Sequence, residues 1–130
     1  MNDSGSAPLE LAVSVGLLLV PAVLLVLSFA PWVEHQMAAR EIARNVARTA
    51  AVAAALPDTE VLLDQAADNY GIDRADIAVT LSGDVGRGGL VTATVDVRMP
   101  AIVIPGIGGL GSVTWTVHHT EQVDLYRSFP

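Results

Sequence analysis

An unbroken apolar run near the beginning is the first pattern in the chain. From Leu11 to Ala30 every residue is apolar or small, apart from two serines and Pro21. A run of about 20 such residues is long enough to cross the hydrocarbon core of a bilayer as a helix. Membrane helices accommodate proline, so Pro21 predicts a kink in this helix rather than its end. The pattern predicts a transmembrane helix over residues 6–31, after a short leader of residues 1–5.

A cleavable secretory signal is the alternative interpretation of the same run. Such signals have a basic segment before a shorter apolar core. This run is longer, it has no basic segment before it, and it begins at Glu10. Trp32, at its far edge, suits the aromatic belt of a membrane interface. The pattern therefore favours a helix that is retained in the membrane.

Helical periodicity continues beyond Pro31. Apolar residues recur at helical spacing and predict an amphipathic helix over about 33–56, kinked or broken from the membrane helix near Pro31 and ended by Pro57. Asp58 or Thr59 is suited to cap a second helix over about 59–70, with Gly71 as its stop. The residues of this second helix expected to face the core are Val61, Leu62, Ala66 and Tyr70.

After Gly71 the period changes to two, which indicates strands. Strands are predicted at residues 77–81, from Leu90 to Met99 and from about Ser112 to Tyr126. The segment "PAIVIPGIGGLG" between the last two is expected to be a connection. The prediction is an α+β fold: a membrane helix extended by an amphipathic helix, a second short helix, then an antiparallel sheet of three or four strands over about 76–127. Residues 32–130 would form the domain outside the membrane.

Composition and charge narrow the function classes. The 130 residues are 52% hydrophobic with a mean hydropathy of +0.48, which indicates a membrane segment. The net charge is −7 and all seven basic residues are arginines, without a basic cluster. A nucleic-acid ligand is therefore not expected, because phosphate binding depends on clustered Lys and Arg. The absence of cysteine excludes disulfides and zinc-thiolate sites.

Two segments resemble chemical sites. "GIGGLG" matches the dinucleotide-binding pattern, but that pattern requires a following helix, and a strand is predicted there. His118 and His119 are adjacent on a strand, so their side chains point to opposite faces and cannot bind one metal together. His119 and Glu121 lie on the same face as the apolar residues, so a buried His119–Glu121 pair is conceivable. An exposed strand end, with both histidines in solvent, is the favoured interpretation. No catalytic residue, cofactor site or metal site is expected, and the protein is not predicted to be an enzyme.

Arg40, Arg44 and Arg48 form a ladder along one side of the amphipathic helix. This ladder is either the solvated face of that helix or a packing face for another subunit or for anionic lipid headgroups. Glu10 has three interpretations: a carboxylate complementing the helix N-terminus, a headgroup-level residue, or the partner of a cation. Cleavage after Gly5 would make Ser6 the N-terminus, and Glu10 could then neutralise the N-terminal amine of a neighbouring chain.

"GSAPLELAVSVGLLLVP" resembles the opening of type IV pilin-like proteins and, more narrowly, of TadE-like proteins, which are minor pilin-like components of Flp (Tad) pilus systems. The Ala/Arg-rich helix and "VTATVDVRMPAIVIPGIGGLGSVTWTV" extend the likeness. The resemblance implies Gly5 at the prepilin peptidase cleavage site, Ser6 as the new N-terminus and Glu10 as the assembly carboxylate. Leu11 stands where that family usually has an aromatic residue, and the leader has no basic residue.

The resemblance also implies a function, partners and a location. We expect a minor pilin or pilus-assembly protein, in contact with the membrane, other pilin-like subunits, the pilus assembly machinery and prepilin peptidase. It would cross the bacterial cytoplasmic (inner) membrane once, with its C-terminal domain outside the cytoplasm, or enter a cell-surface filament. The positive-inside rule alone favours the opposite orientation, because the arginines follow the run. The first alternative function is a membrane-anchored exported scaffold or chaperone that never enters a fibre. The second is a membrane-tethered enzyme or ligand-binding domain, with the two histidines and Glu121 as its only plausible site.

Overall fold

The structure is a computed structural model that describes residues 6–126 as two α-helices, one short 3-10 helix (Arg74–Asp76) and one sheet. Their bounds are α1 (Ser6–Ala53), α2 (Thr59–Tyr70), β1 (Ile77–Gly83), β2 (Leu90–Ile104) and β3 (Gly108–Gln122). The sheet is antiparallel, with β2 between β1 and β3. The predicted α+β fold, with its long N-terminal helix, short second helix and antiparallel sheet, is confirmed.

Of the kink or break predicted near Pro31, the break is wrong, because α1 is one helix of 48 residues with Pro21 and Pro31 inside it, and the kink stays a prediction. A proline removes one helical hydrogen bond and crowds the preceding turn. Contacts from the sheet hold Ser28 and Trp32 on either side of Pro31. This tertiary support keeps the helix continuous, and the apolar pattern of the sequence does not reveal it.

Helix α1 ends at Ala53, earlier than the predicted end near Leu56. Ala54 adopts a left-handed backbone conformation with φ 48°. A residue in this conformation ends a helix, and glycine usually occupies the position because a Cβ is disfavoured there. The chain thus turns before Pro57 is reached.

The predicted bounds and caps of α2 are confirmed. The Asp58 carboxylate accepts a hydrogen bond from the Glu60 N–H at 3.1 Å, and Gly71 follows the helix in the left-handed conformation at φ 62°. The predicted core face is partly wrong, because Val61 and Tyr70 are exposed. The buried residues of α2 are Leu63, Ala66 and Ala67. Residues 61–63 of this helix are three consecutive apolar residues, so the sequence pattern fits either of two neighbouring helix faces.

The core lies between the C-terminal half of α1 and the helix-facing side of β2. On β2 every second residue is buried, as the alternation predicts: Val91, Ala93, Val95, Val97 and Met99. On α1 the buried residues come in pairs, mostly alanines, and they are Ala38, Ala39, Ile42, Ala43, Val46, Ala47, Ala50 and Ala51. Small side chains let the helix backbone approach the sheet closely, so this half of α1 is a structural part of the domain.

The connection predicted over residues 100–111 is wrong, because both strands continue into it. β2 runs through Pro100, which is tolerated because the pairing with β1 stops at Val97 and no partner on that side requires an N–H. The hairpin closes with a hydrogen bond from the Ile107 N–H to the Ile104 carbonyl at 3.1 Å, and Gly106 has φ 80°. Proline followed by a left-handed glycine is typical of a type II turn.

Strand β3 is less buried than β2. Val113 and Trp115 point to the helix side but remain partly exposed, because β3 is the edge of the sheet and no element covers its outer side among the described residues. The strand ends at Gln122 rather than near Tyr126, and Leu125 beyond it is exposed. The third strand is thus confirmed, with an earlier end and a more open face.

Candidate membrane anchor and assembly surface

The N-terminal half of α1 extends away from the domain. Every large apolar side chain from Leu9 to Phe29, except Leu24, is between 45% and 77% exposed. Continuous apolar exposure on this scale marks a surface that is covered by lipid or by another protein. Among the described residues α1 is the one helix that is long and apolar enough to span a membrane, which is consistent with single-pass anchoring.

Glu10 lies at the beginning of this apolar surface. Gly5 lies outside the described residues, and Ser6 is the first residue of α1. The first turn of the helix contains no acidic residue, so Glu10 sits beyond it. Because the effect of the helix dipole falls off within the first turn, complementing the N-terminus is a weak explanation for this carboxylate. Glu10 is exposed, and it forms no ion pair with a described residue.

Pro21 lies midway along the exposed part of α1, and its side chain is exposed. The helix continues on both sides of it. The assignment of Pro21 as a kink stays a prediction.

The arginine ladder follows the exposed side of the domain half of α1. Arg40, Arg44 and Arg48 are exposed, and none of them forms an ion pair with a described residue. Glu41, on the same helix, forms no ion pair with Arg44; its carboxylate accepts a hydrogen bond from the Asn45 amide at 3.3 Å. The ladder thus remains available to solvent, to anionic headgroups or to another subunit.

The two histidines are separated as their spacing predicts. On the outer face of the sheet, His118 is hydrogen-bonded to the Thr94 hydroxyl at 2.9 Å. On the helix-facing side, His119 lies 3.2 Å from a Glu121 carboxylate oxygen, and both side chains are partly exposed. His119 and Glu121 are therefore in contact, but their side chains are not buried. Within residues 6–126 no group of three His, Asp or Glu side chains is arranged to hold a metal ion.

A shallow pocket between α1 and α2 ends at Tyr70. Partial burial, and then the charge of Glu41, raise the pKa of the Tyr70 hydroxyl above its ordinary value of 10.0. The hydroxyl is thus held neutral at physiological pH. The other polar groups that line this pocket are the amides of Asn45, Gln65 and Asn69. Side-chain amides do not ionise in this pH range, so the residues that line the pocket supply no acid–base pair.

The sequence did not predict the contacts between the β2–β3 hairpin and the apolar run. The Ser28 hydroxyl donates to the Leu24 carbonyl at 2.8 Å and accepts from the Val103 N–H at 3.0 Å. The Trp32 indole N–H donates to the Pro100 carbonyl at 2.9 Å. Trp32 was expected to face the membrane interface, and its polar atom is instead used within the protein. The available sequence signal was Ser28 itself, a hydroxyl within an apolar run.

These features were compared with known proteins. No family model, no curated protein and no solved structure matches the chain.

Proposed function

We propose that this protein is a minor pilin-like subunit or assembly component of a Flp (Tad) pilus or a related secretion system. The N-terminal half of α1 would hold it in the bacterial cytoplasmic membrane, with the α+β domain outside the cytoplasm. The observation that carries the proposal is the division of α1 into two halves. One half exposes a continuous apolar surface, and the other forms the core of the domain without a break between them.

A continuous helix couples the membrane segment rigidly to the domain. If the helix left the bilayer without a new cover, its Leu and Val side chains would each lose about 1.5–3 kcal/mol of burial free energy. Packing against the same segment of other subunits would replace the lipid. This supports assembly through the helix, which agrees with the resemblance of residues 5–21 to pilin-like openings.

Glu10 fits the same proposal. After cleavage behind Gly5, Glu10 would be the fifth residue and would lie about 6 Å along the helix axis from the new N-terminus at Ser6. A neighbouring helix displaced by about that distance would place its α-amine beside the Glu10 carboxylate. An α-amine has an ordinary pKa near 8 and is charged at neutral pH. The pair would relieve the cost of a lone carboxylate among apolar helices.

The test is the intact mass of the membrane-extracted protein from cells with and without prepilin peptidase. We expect residues 1–5 to be lost only when the peptidase is present. Gly5→Leu should retain the leader in both cells, because it blocks the cleavage site. The matched control Gly16→Leu, the same substitution within the apolar run, should still be processed.

A mass that includes residues 1–5 in both cells would contradict the pilin mechanism. The membrane-anchored scaffold or chaperone would then become the leading function. If cleavage occurs, the presence of the protein in sheared surface filaments separates an incorporated subunit from an assembly factor. This second measurement matters because an assembly factor can also be processed.

A further inference from the structure

We propose that the tip of the β2–β3 hairpin, residues 101–110, is a second membrane contact that inserts into the lipid leaflet beside α1. This inference rests on the anchoring of α1 in a membrane and not on the pilin assignment. Lipid of the leaflet on the domain side would cover the exposed apolar tip.

The first observation is where the hairpin lies. β2 runs antiparallel to α1: Val91 packs with Ala50 and Ala51 at one end, and Val103 is bonded to Ser28 near the other. The strand therefore continues past Trp32 and into the level of the apolar run. Ser28 is fully buried, whereas its neighbours Leu27 and Phe29 are exposed.

The depth of the tip follows from standard geometry. Ser28 lies two residues inside the end of the run at Ala30, which is about 3 Å along the helix axis. The turn at Pro105 and Gly106 lies two to three residues beyond Val103, or about 7–10 Å further at the rise of a strand. The turn is thus about 10–13 Å below the end of the apolar run. Leu24, one turn before Ser28, is accordingly the one large apolar residue of this segment that is partly covered.

The second observation is the chemistry of the tip. The sequence AIVIPGIGGL contains no charged or polar side chain. Ile107 at the turn is 77% exposed, and Leu110 is 52% exposed. An exposed apolar cluster contiguous with a membrane helix matches the apolar side of a lipid interface, whereas a water-exposed hairpin turn ordinarily carries polar residues.

The third observation is that backbone polar groups where the hairpin meets α1 and at its turn are satisfied or absent. Lipid offers no hydrogen bonds, so a hairpin at this depth must satisfy its own backbone groups. Pro100 and Pro105 have no N–H to satisfy. The Pro100 carbonyl is bonded by Trp32, the Val103 N–H by Ser28, and the Ile107 N–H by the Ile104 carbonyl. These contacts suit a hairpin that is held against a helix in a poorly hydrated layer.

The test uses the absence of native cysteine. The full chain carries a single cysteine labelled with an environment-sensitive fluorophore, at Ile107→Cys or, as a second tip position, Leu110→Cys. Each protein is placed at one copy per nanodisc of phosphatidylethanolamine and phosphatidylglycerol, with or without brominated acyl chains. Leu18→Cys reports on the anchor, and Val61→Cys is the matched control for an exposed apolar residue at the opposite end of the domain.

We expect the label at residues 107 and 110 to be quenched by brominated lipid several-fold more than the label at residue 61, with blue-shifted emission. If both tip labels behave like the label at residue 61, the inference is wrong. Protection that appears only with several copies per disc would show that a second chain covers the tip, and would also overturn it. An unquenched label at residue 18 would refute the anchor itself, and the tip contact with it.

Discussion

At the scale of single residues, Ser28 shows how one hydroxyl can join two distant parts of the chain. The Ser28 hydroxyl donates a hydrogen bond to the Leu24 carbonyl of its own helix and accepts one from the Val103 N–H. The polar group within the apolar run therefore has a partner both as donor and as acceptor. The indole N–H of Trp32 does the same for the Pro100 carbonyl one turn later. These two bonds fix the hairpin against α1 on both sides of Pro31.

Replacing Ser28 by alanine should loosen the hairpin without unfolding the domain. The partly buried Val103 N–H would lose its acceptor, at a cost of about 1–3 kcal/mol. We therefore expect the hydrogen exchange of the Val103 amide, in detergent micelles, to accelerate about tenfold to a hundredfold. Ser14→Ala, the same change at an exposed position of α1, should leave this amide unaffected. Unchanged protection of Val103 in Ser28→Ala would show that the hydroxyl is not its essential acceptor.

At the scale of elements, the glycines of β3 explain how the hairpin closes against itself. A Cβ added at Gly109 would lie 2.6 Å from the Pro100 Cβ across the two strands. Glycine thus makes room for the proline that β2 carries at its unpaired edge. The sequence shows both residues, but they are not strand partners, since Gly109 pairs with Val103 and Pro100 with Ser112, and only the folded hairpin brings them close.

Gly109→Ala should accordingly destabilise the hairpin. Forcing an extra carbon into a packed site costs about 1–3 kcal/mol, so we expect a lower thermal unfolding midpoint in detergent. Gly16→Ala is the control, because nothing lies within 4 Å of the added Cβ on the exposed helix. Alanine is the better helix former by about 1 kcal/mol, so this control should not lower the midpoint. Equal midpoints for the wild type and Gly109→Ala would contradict the packing of Gly109 against Pro100.

Elements with strong local signals were predictable from the sequence. The caps at Asp58 and Gly71 placed α2, and strict alternation placed the buried face of β2. The failures occurred where tertiary contacts override local preference. Pro31 does not break α1, and Pro100 does not end β2, because neighbouring elements support both segments. Likewise, the exposed run on α1 was predictable as a membrane segment, whereas the hairpin beside it depends on the contacts of Ser28 and Trp32.

At the scale of the whole molecule, the two halves of the single helix α1 suit two different environments. Its domain half buries mainly alanine against β2, and its N-terminal half exposes leucine and valine. Small residues suit a close contact between a helix and a sheet, and large ones suit lipid or neighbouring helices. The orientation of the domain is then the decisive property, because the pilin proposal requires it to be outside the cytoplasm.

The position of the arginines makes the orientation of the domain a point on which two predictions disagree. Arg40, Arg44 and Arg48 follow the apolar run, and no basic residue precedes it, so charge alone predicts a cytoplasmic domain. However, these arginines belong to a helix that packs on the sheet as part of a folded domain. The positive-inside rule determines the orientation of short loops, whereas long loops and domains are translocated largely regardless of their charge. We therefore expect Val61→Cys, in a chain without native cysteine, to react with a membrane-impermeant maleimide on intact spheroplasts.

Two controls define that experiment. In cells without prepilin peptidase, Asn2→Cys should react only after lysis, because the leader would face the cytoplasm. Leu18→Cys should remain unreactive while the membrane is intact, because it lies within the span. The reverse pattern, with position 2 labelled from outside and position 61 only after lysis, would place the domain in the cytoplasm. A subunit in that orientation cannot enter an extracellular fibre, so this result would end the pilin proposal and leave a cytoplasmic domain tethered by α1.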